Sequence, residues 1–327
     1  MRVLLLLLLA NSVSASELNH YFADMHGHTS YSDGAGTPEQ AYRYARDVAR
    51  LDVFILTDHL EQLSQSEWQA TRAVAERYNQ TGRFVTFAGM EWTTKGGHAC
   101  FFNPPTKKWP RDTGNIFPAV YSSGSILKIC HPGDGKVFNG LAYSQIRDAT
   151  TSLVEVRSDL EETSYLKMLK LGWHVAPDGS TDSHKAYWGN RTPRHTWTCI
   201  LSPRLDRRSI WEAIKSRHCY ATYDRNCRLS FKINGAVMGD VISTPVNTLH
   251  LELTINDPDS RDTVREVKLI GGYTQTKTIP GAYGKNVNVS TSVHIHHARK
   301  EETFFYVKVT QSDGDKIWSA PIWFKPR

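Results

Sequence analysis

The stretch Asp24-Met-His26-Gly-His28-Thr-Ser-Tyr-Ser-Asp33-Gly decides how the first two thirds of this chain are read. It grows out of the short apolar run 21–25, and on an extended segment a His-x-His pair sends both rings to one side, which suits a shared metal ion. The same arrangement recurs along the chain. Thr57-Asp58-His59 closes the run 52–57, Gly89-Met-Glu91 closes the next, Gly97-His98 opens another, Cys130-His131-Pro132-Gly133 ends a further one, and Thr181-Asp182-Ser-His184 falls later. Six of the 14 histidines lie in these motifs. So many imidazoles and carboxylates brought together at strand ends are costly to bury unless a cation neutralises them. Strand C-terminal ends are also where β/α barrels assemble their sites, so the motifs are expected to converge.

Between these runs the text is helical. Thr37-Pro38-Glu39-Gln40 combines an N-cap Thr, a Pro at the first helical position and a capping-box Gln, which predicts a helix over 38–50; Ser64-x-x-Glu67 starts a second in the same way. Further strands are expected at 84–89, 98–102, 126–130, 153–156 and 196–201, with helices near 160–171 and 208–217. This alternation is an α/β pattern. After about Cys227 the helix signals stop, and period-two runs at 229–233, 249–255, 264–270 and 304–309 read as an all-β antiparallel sandwich.

The 327 residues are 40% hydrophobic and 22% charged, which excludes a disordered chain and leaves room for two domains with cores of their own. The net charge of +6 is spread along the chain, so no nucleic-acid-binding signature emerges. Residues 1–15 read as a secretory signal peptide, with Arg2 ahead of the apolar run 3–10 and Val13-Ser14-Ala15 at the cleavage position. Eight apolar residues fall far short of the roughly 20 that span a bilayer, and no transmembrane segment is expected later. The expected organisation is a signal peptide (1–15), an α/β unit (16–227) and a sandwich (228–327), secreted to an extracellular or periplasmic location. Export permits disulfides, and Cys219 and Cys227, eight apart around a turn, are the candidate pair among the five cysteines. Asn79, Asn190 and Asn288 stand in sequons that would accept N-glycans in a eukaryotic host.

Taken together, Asp24-x-His26-x-His28, Asp33, Thr57-Asp58-His59, Glu91, His98, His131-Pro and Asp182-Ser-His184 resemble the motif order of the PHP (polymerase and histidinol phosphatase) superfamily over residues 21 to about 225. The Gly-His after the Glu91 strand, the helix followed by Arg217-His-Cys-Tyr-Ala-Thr, and the trailing sandwich resemble its carbaryl-hydrolase-like branch. The resemblance implies a distorted (β/α)7 barrel holding two to three divalent metal ions, Zn, Mn or Fe. By motif, His26, His28, Glu91 and Asp182 would hold one ion, and Glu91 would bridge to a second held by His98 and His131. Asp33, His59 and His184 would hold the third; Asp33 departs from members with a His nearby, so a weaker, exchangeable site is expected there. Asp58 would orient a ligand imidazole or a water.

Closely spaced metals lower the pKa of a bridging water and stabilise both the attacking and departing oxygens of a displacement. The expected activity is therefore phosphoester hydrolysis by a metal-bridging hydroxide, with a diester of a small molecule or a lipid headgroup as the favoured substrate. Arg157, Lys185, Arg191 and Arg194 stand beside ligands and could clamp a phosphate, while His195 could protonate a leaving group. Each of these also reads as ordinary loop charge, Trp188 and Tyr187 read as pocket wall or loop packing, and His294 and His296 would share an exposed strand face. Two alternatives stay open: the same hydroxide attacking a carboxyl or carbamate ester or an amide, and a catalytically silent secreted module that binds metal or anions.

Overall fold

The computed structural model describes residues 18–325 apart from 111, 113, 135–139, 141, 191–194, 244–247, 272–275 and 295–301. The expected signal peptide and the candidates Arg191, Arg194 and His296 therefore lie outside the described residues.

Strand β1 (Asn19–Asp24) leads through α1 (Pro38–Asp47) to β2 (Val53–Leu56), and α2 (Gln65–Tyr78) carries the chain to β3 (Val85–Thr94). Both helices begin at the capping boxes legible in the sequence, Thr37 with Gln40 and Ser64 with Glu67. The three strands pair in parallel, and β2, Val-Phe-Ile-Leu, is buried on both faces.

Then the direction reverses. β3 folds back on β4 (Gly97–Phe102), and β5 (Ile126–Cys130), after α3 (Ile116–Ser123), pairs antiparallel with β4. The sheet is thus mixed where a regular β/α alternation would keep it parallel. The reversal brings Glu91 on β3, His98 at the start of β4 and His131 just past β5 to one end of the sheet. Parallel pairing resumes through α4 (Gln145–Thr150), β6 (Thr151–Glu155), α5 (Asp159–Lys170) and β7 (Ala176–Asp178). On the other side of β1, β8 (Trp197–Ser202) and, after α6 (Arg207–Lys215), β9 (Cys219–Thr222) add antiparallel strands.

The resulting order, β9-β8-β1-β2-β3-β4-β5-β6-β7, curls until β7 packs against β8 and β9. Thr198 fastens that seam: its Oγ1 donates to the Asp178 carboxylate at 2.8 Å and accepts from Gly179 N at 2.9 Å.

The C-terminal part contains β10 (Arg228–Ile233), β11 (Ala236–Val237), β12 (Val241–Ile242), β13 (Thr248–Asn256), β14 (Val264–Gly271), β15 (Lys277–Thr278), β16 (Asn286–His294), β17 (Thr303–Gln311), β18 (Lys316–Ser319) and β19 (Ile322–Phe324). One sheet runs β11-β10-β13-β16; in the other, β17 pairs with β14, β18 and β19. Leu229, Phe231, Leu251 and Leu253 from the first share a core with Val267, Leu269, Val307 and Val309 from the second. Strand β18 also pairs antiparallel with β9, Ser319 opposite Tyr220, so the second sheet is continuous with the curled one.

All five cysteines are free and buried, which overturns the expected bridge between Cys219 and Cys227. On β9 successive side chains alternate in direction. Tyr220 Oη donates to the Cys227 carbonyl at 2.8 Å, while the Cys219 thiol turns the other way, toward Pro177 O on β7. Of the sequon asparagines, Asn79 caps the end of α2, where its Oδ1 accepts from Thr86 N, and Asn288 is exposed on β16. Among the described residues no helix is long and apolar enough to cross a membrane.

A side chain at residue 179 would collide with the Trp197 carbonyl. Gly179→Ala is expected to pry β7 from β8 and destabilise the fold by about 2–3 kcal/mol, as overpacking in a tight core does. Thermal unfolding checks it; an unchanged midpoint would mean that the seam has slack.

Candidate metal centre

The backbone around the site is pinned by carboxylates that touch no ligand ring. Asp58 accepts from Thr29 N (2.6 Å), Thr29 Oγ1 (2.7 Å) and Ser32 Oγ (2.6 Å), fixing the loop that carries His28. Ser32 Oγ in turn lies 3.5 Å from His28 Nδ1, so Asp58 reaches that imidazole through Ser32 and the loop. Asp24 accepts from Thr181 N and Thr181 Oγ1 and so fixes the loop that carries Asp182. Trp188 is buried and donates from Nε1 to His28 O at 2.8 Å; it packs the loop, and a Cβ on Gly27 would press against its ring. His131 and Asp182 have positive φ angles of 29° and 49°, backbone strain of order 1–3 kcal/mol each that the surrounding contacts must hold.

These constraints gather the nine candidate ligands into three overlapping groups, His26 with His28 and Asp182, Glu91 with His98 and His131, and His28 with Asp33, His59 and His184. In the first, His26 Nε2 and His28 Nε2 lie 3.3 Å apart. Each is 3.3–3.4 Å from Glu91 Oε2 and from Asp182 Oδ1. His26, His28 and Asp182 thus offer ligand atoms close enough together to share one ion, with Glu91 Oε2 beside both imidazole nitrogens. Two imidazole nitrogens and two carboxylate oxygens form a suitable donor set for zinc, and the residues present fit such an ion.

Glu91 joins the groups. Its Oε2 faces His26, His28 and, at 3.1 Å, His59 Nδ1; its Oε1 faces His98 Nδ1 at 2.9 Å and His131 Nε2 at 3.3 Å. In the third group Asp33 lies 3.4 Å from His59 Nε2 and 3.3 Å from His184 Nε2, with Asp33 and His184 both largely exposed. Its ring of donors is looser and wetter than the other two.

Around Glu91 and Asp182 the electrostatics favour positive charge. Burial opposes ionisation, yet the imidazoles of His26, His131 and His28 hold the Glu91 carboxyl far below the ordinary carboxylate range. Against the same burial, Asp182 and Glu91 push His28 up to about 9. Burial dominates at His59, which is lowered.

Beneath the ligands lies a layer that strand-end motifs alone did not reveal. Glu155, at the end of β6 and fully buried, takes His26 Nδ1 at 2.6 Å on Oε1 and His131 N at 2.6 Å on Oε2. Such a carboxylate sets the tautomer and orientation of a ligating imidazole. Lys128, also fully buried, bridges Glu155 and Asp178 at 2.8 Å each and donates to Ser180 Oγ. The available signals were that Glu155 ends its strand as the ligands end theirs, and that Lys128 interrupts an apolar one.

Arg157, the expected phosphate clamp, is engaged with carboxylates. Its guanidinium is ringed by Glu161 at 2.9 Å, Asp182 at 3.5 Å and Glu155 at 3.6 Å, and its charge is already matched. Arg191 and Arg194 lie outside the described residues. His195 bonds through Nδ1 to Asn190 O, and Lys185 is exposed beside His184.

In known proteins, a family described as a protein of unknown function (DUF3604) matches residues 49–101, the segment that includes His59, Glu91 and His98. Over 91% of its length the chain is 23% identical to an uncharacterized protein of Chlamydia pneumoniae and 19% identical to one of Chlamydia muridarum; it spans 56% of the length of each. Among solved structures it is similar to a two-domain protein containing a predicted PHP-like metal-dependent phosphoesterase from Bacteroides vulgatus, with a TM-score of 0.52 and 16% identity, over 93% of this chain and 95% of that one. The two share a fold.

Glu155→Gln is expected to keep the fold and lower zinc affinity roughly 10–100-fold, as loss of an orienting partner does; competition with a chromogenic chelator measures it, and unchanged affinity would remove Glu155 from the site. Lys128→Met leaves Glu155 and Asp178 buried without their cation. It should cost about 3–5 kcal/mol in denaturant unfolding, and a loss below about 1 kcal/mol would contradict the network.

Proposed function

We propose that the chain is a secreted, multinuclear metal-dependent phosphoester hydrolase with a preference for diesters, built on a distorted PHP-type barrel. The observation that carries the reading is Glu91, one carboxylate shared between the donor set of His26, His28 and Asp182 and that of His98 and His131. Divalent ions held in those sets would acidify a shared water and offset the charge that develops on a phosphoryl group. The chain's own part is positioning. Glu155 holds His26 with Nε2 toward the centre, Asp24 and Asp58 hold the two loops, and the Arg157 guanidinium steadies the outer oxygen of Asp182. The fold shared with the Bacteroides vulgatus protein supports the reading.

One observation favours a second reading. With Arg157 neutralised by three carboxylates, a neutral carboxyl or carbamate ester meets less electrostatic mismatch at that wall than a phosphate anion does. The deciding assay offers the mature chain bis(p-nitrophenyl) phosphate, p-nitrophenyl phosphate and p-nitrophenyl acetate with zinc or manganese, with and without chelator. Chelator-sensitive diester cleavage that His26→Ala reduces to background is expected. Cleavage of the acetate alone would overturn phosphoester hydrolysis in favour of the second reading, and no metal-dependent turnover on any of them would overturn both.

A further inference from the structure

At the end of the curled sheet away from Glu91, a cavity of about 620 Å³ opens between the barrel and the C-terminal layers. Ile126, at the start of β5, lines it; His131 is five residues further on, so about 16 Å of strand separates this cavity from the metal-ligand end. Its charged lining comes from distant parts of the chain: Asp148 on α4, His174 before β7, Lys215 and Arg217 at the end of α6, Glu302 before β17, and Lys325 after β19.

The two carboxylates already have their cation. His174 meets Asp148 Oδ2 through Nδ1 at 2.8 Å and Glu302 Oε1 through Nε2 at 2.6 Å, a geometry in which both ring nitrogens donate and the imidazole is charged. The longer cations have no such match: among the described residues Lys215, Arg217 and Lys325 make no ion pair. Arg217 is the most constrained. Its backbone is left-handed at φ 62°, held against Gly239, where a Cβ would strike the Arg217 carbonyl. Its guanidinium lies 5.4 Å over the Trp323 ring, and its Nε is buried without a hydrogen-bond partner. A strained backbone holding a largely buried guanidinium, with no ion pair among the described residues and an orphaned Nε, at a cavity wall is an arrangement that an anion would relieve.

We propose that this cavity is a binding site for a small phosphate-bearing ligand, separate from the metal centre, anchored by Arg217 with Lys215 and Lys325 completing the cradle. Four positive groups against two negative ones favour a dianion, and the planar guanidinium offers phosphate a two-pronged contact. The volume falls in the range of small-molecule sites and far exceeds a lone phosphate, so the ligand carries an organic portion of about sugar size. The site does not depend on the hydrolytic reading, because none of its residues contributes to the metal groups.

The test is calorimetric titration of the full chain with ribose 5-phosphate and with inorganic phosphate at constant ionic strength, using Asp182→Ala to disable the metal centre. Saturable binding of ribose 5-phosphate should persist in Asp182→Ala, weaken roughly tenfold or more on adding Arg217→Met, and weaken less with Arg217→Lys. Lys325→Ala, an exposed change that spares the fold, should also lower affinity and serves as the deciding variant if Arg217→Met misfolds. Binding that vanishes in Asp182→Ala, that is indifferent to both Arg217→Met and Lys325→Ala, or that is absent from the unaltered chain would overturn the proposal.

Discussion

The molecule is organised around a carboxylate that cannot stand alone. Glu91 is 1% exposed, sits in the body of a strand, and faces imidazoles from β4 and from the loops after β1, β2 and β5. A buried charge in such a place is tolerated only when it is neutralised on every side. The reversed pairing of β3, β4 and β5 serves that requirement, bringing His98 and His131 to Oε1 of Glu91 while His26, His28 and His59 face Oε2. So does the left-handed backbone of His131 and Asp182, which no regular strand or helix would impose.

Charge alternates from this centre toward the far edge of the curled sheet. His26 lies against Glu155, Glu155 against Lys128, Lys128 against Asp178, and Asp178 against Thr198 on the far side of the seam. Each member is fully buried, and each is satisfied by the next. The file ties the orientation of a candidate metal ligand to the contact between β7 and β8, so the site and the curled sheet share one set of interactions. Arg157 does the same on the outer side, where it stitches the end of β6 and the start of α5 to Asp182.

Much of this was legible because the relevant signals are local. Thr37 with Gln40 and Ser64 with Glu67 mark helix starts within four residues, and His or carboxylate ending an apolar run marks a strand that opens onto a polar space. What stayed hidden depends on partners distant in the chain. The runs of β3, β4 and β5 could be read, but the direction in which they pair could not. Three residues, Ala-Pro-Asp, are too few to show the period of β7. Arg157 reads as a phosphate ligand in the sequence because Glu161 and Asp182 close on it only in three dimensions, and nothing local to Lys128 shows that Glu155 and Asp178 stand at either side of it. Cys219 and Cys227 are near in sequence, yet the alternation of β9 points the Cys219 thiol away.

The pairing of β18 with β9 sets a timetable for folding. The outer edge of β9 is complete only when residues 316–319 reach it, roughly 95 residues after β9 itself. During synthesis the curled sheet emerges first, with a bare row of backbone donors and acceptors along its last strand, a template for pairing with any other extended chain. In the finished fold the C-terminal layers cover that edge of the curled sheet, the one through which an unfinished copy could pair with another chain.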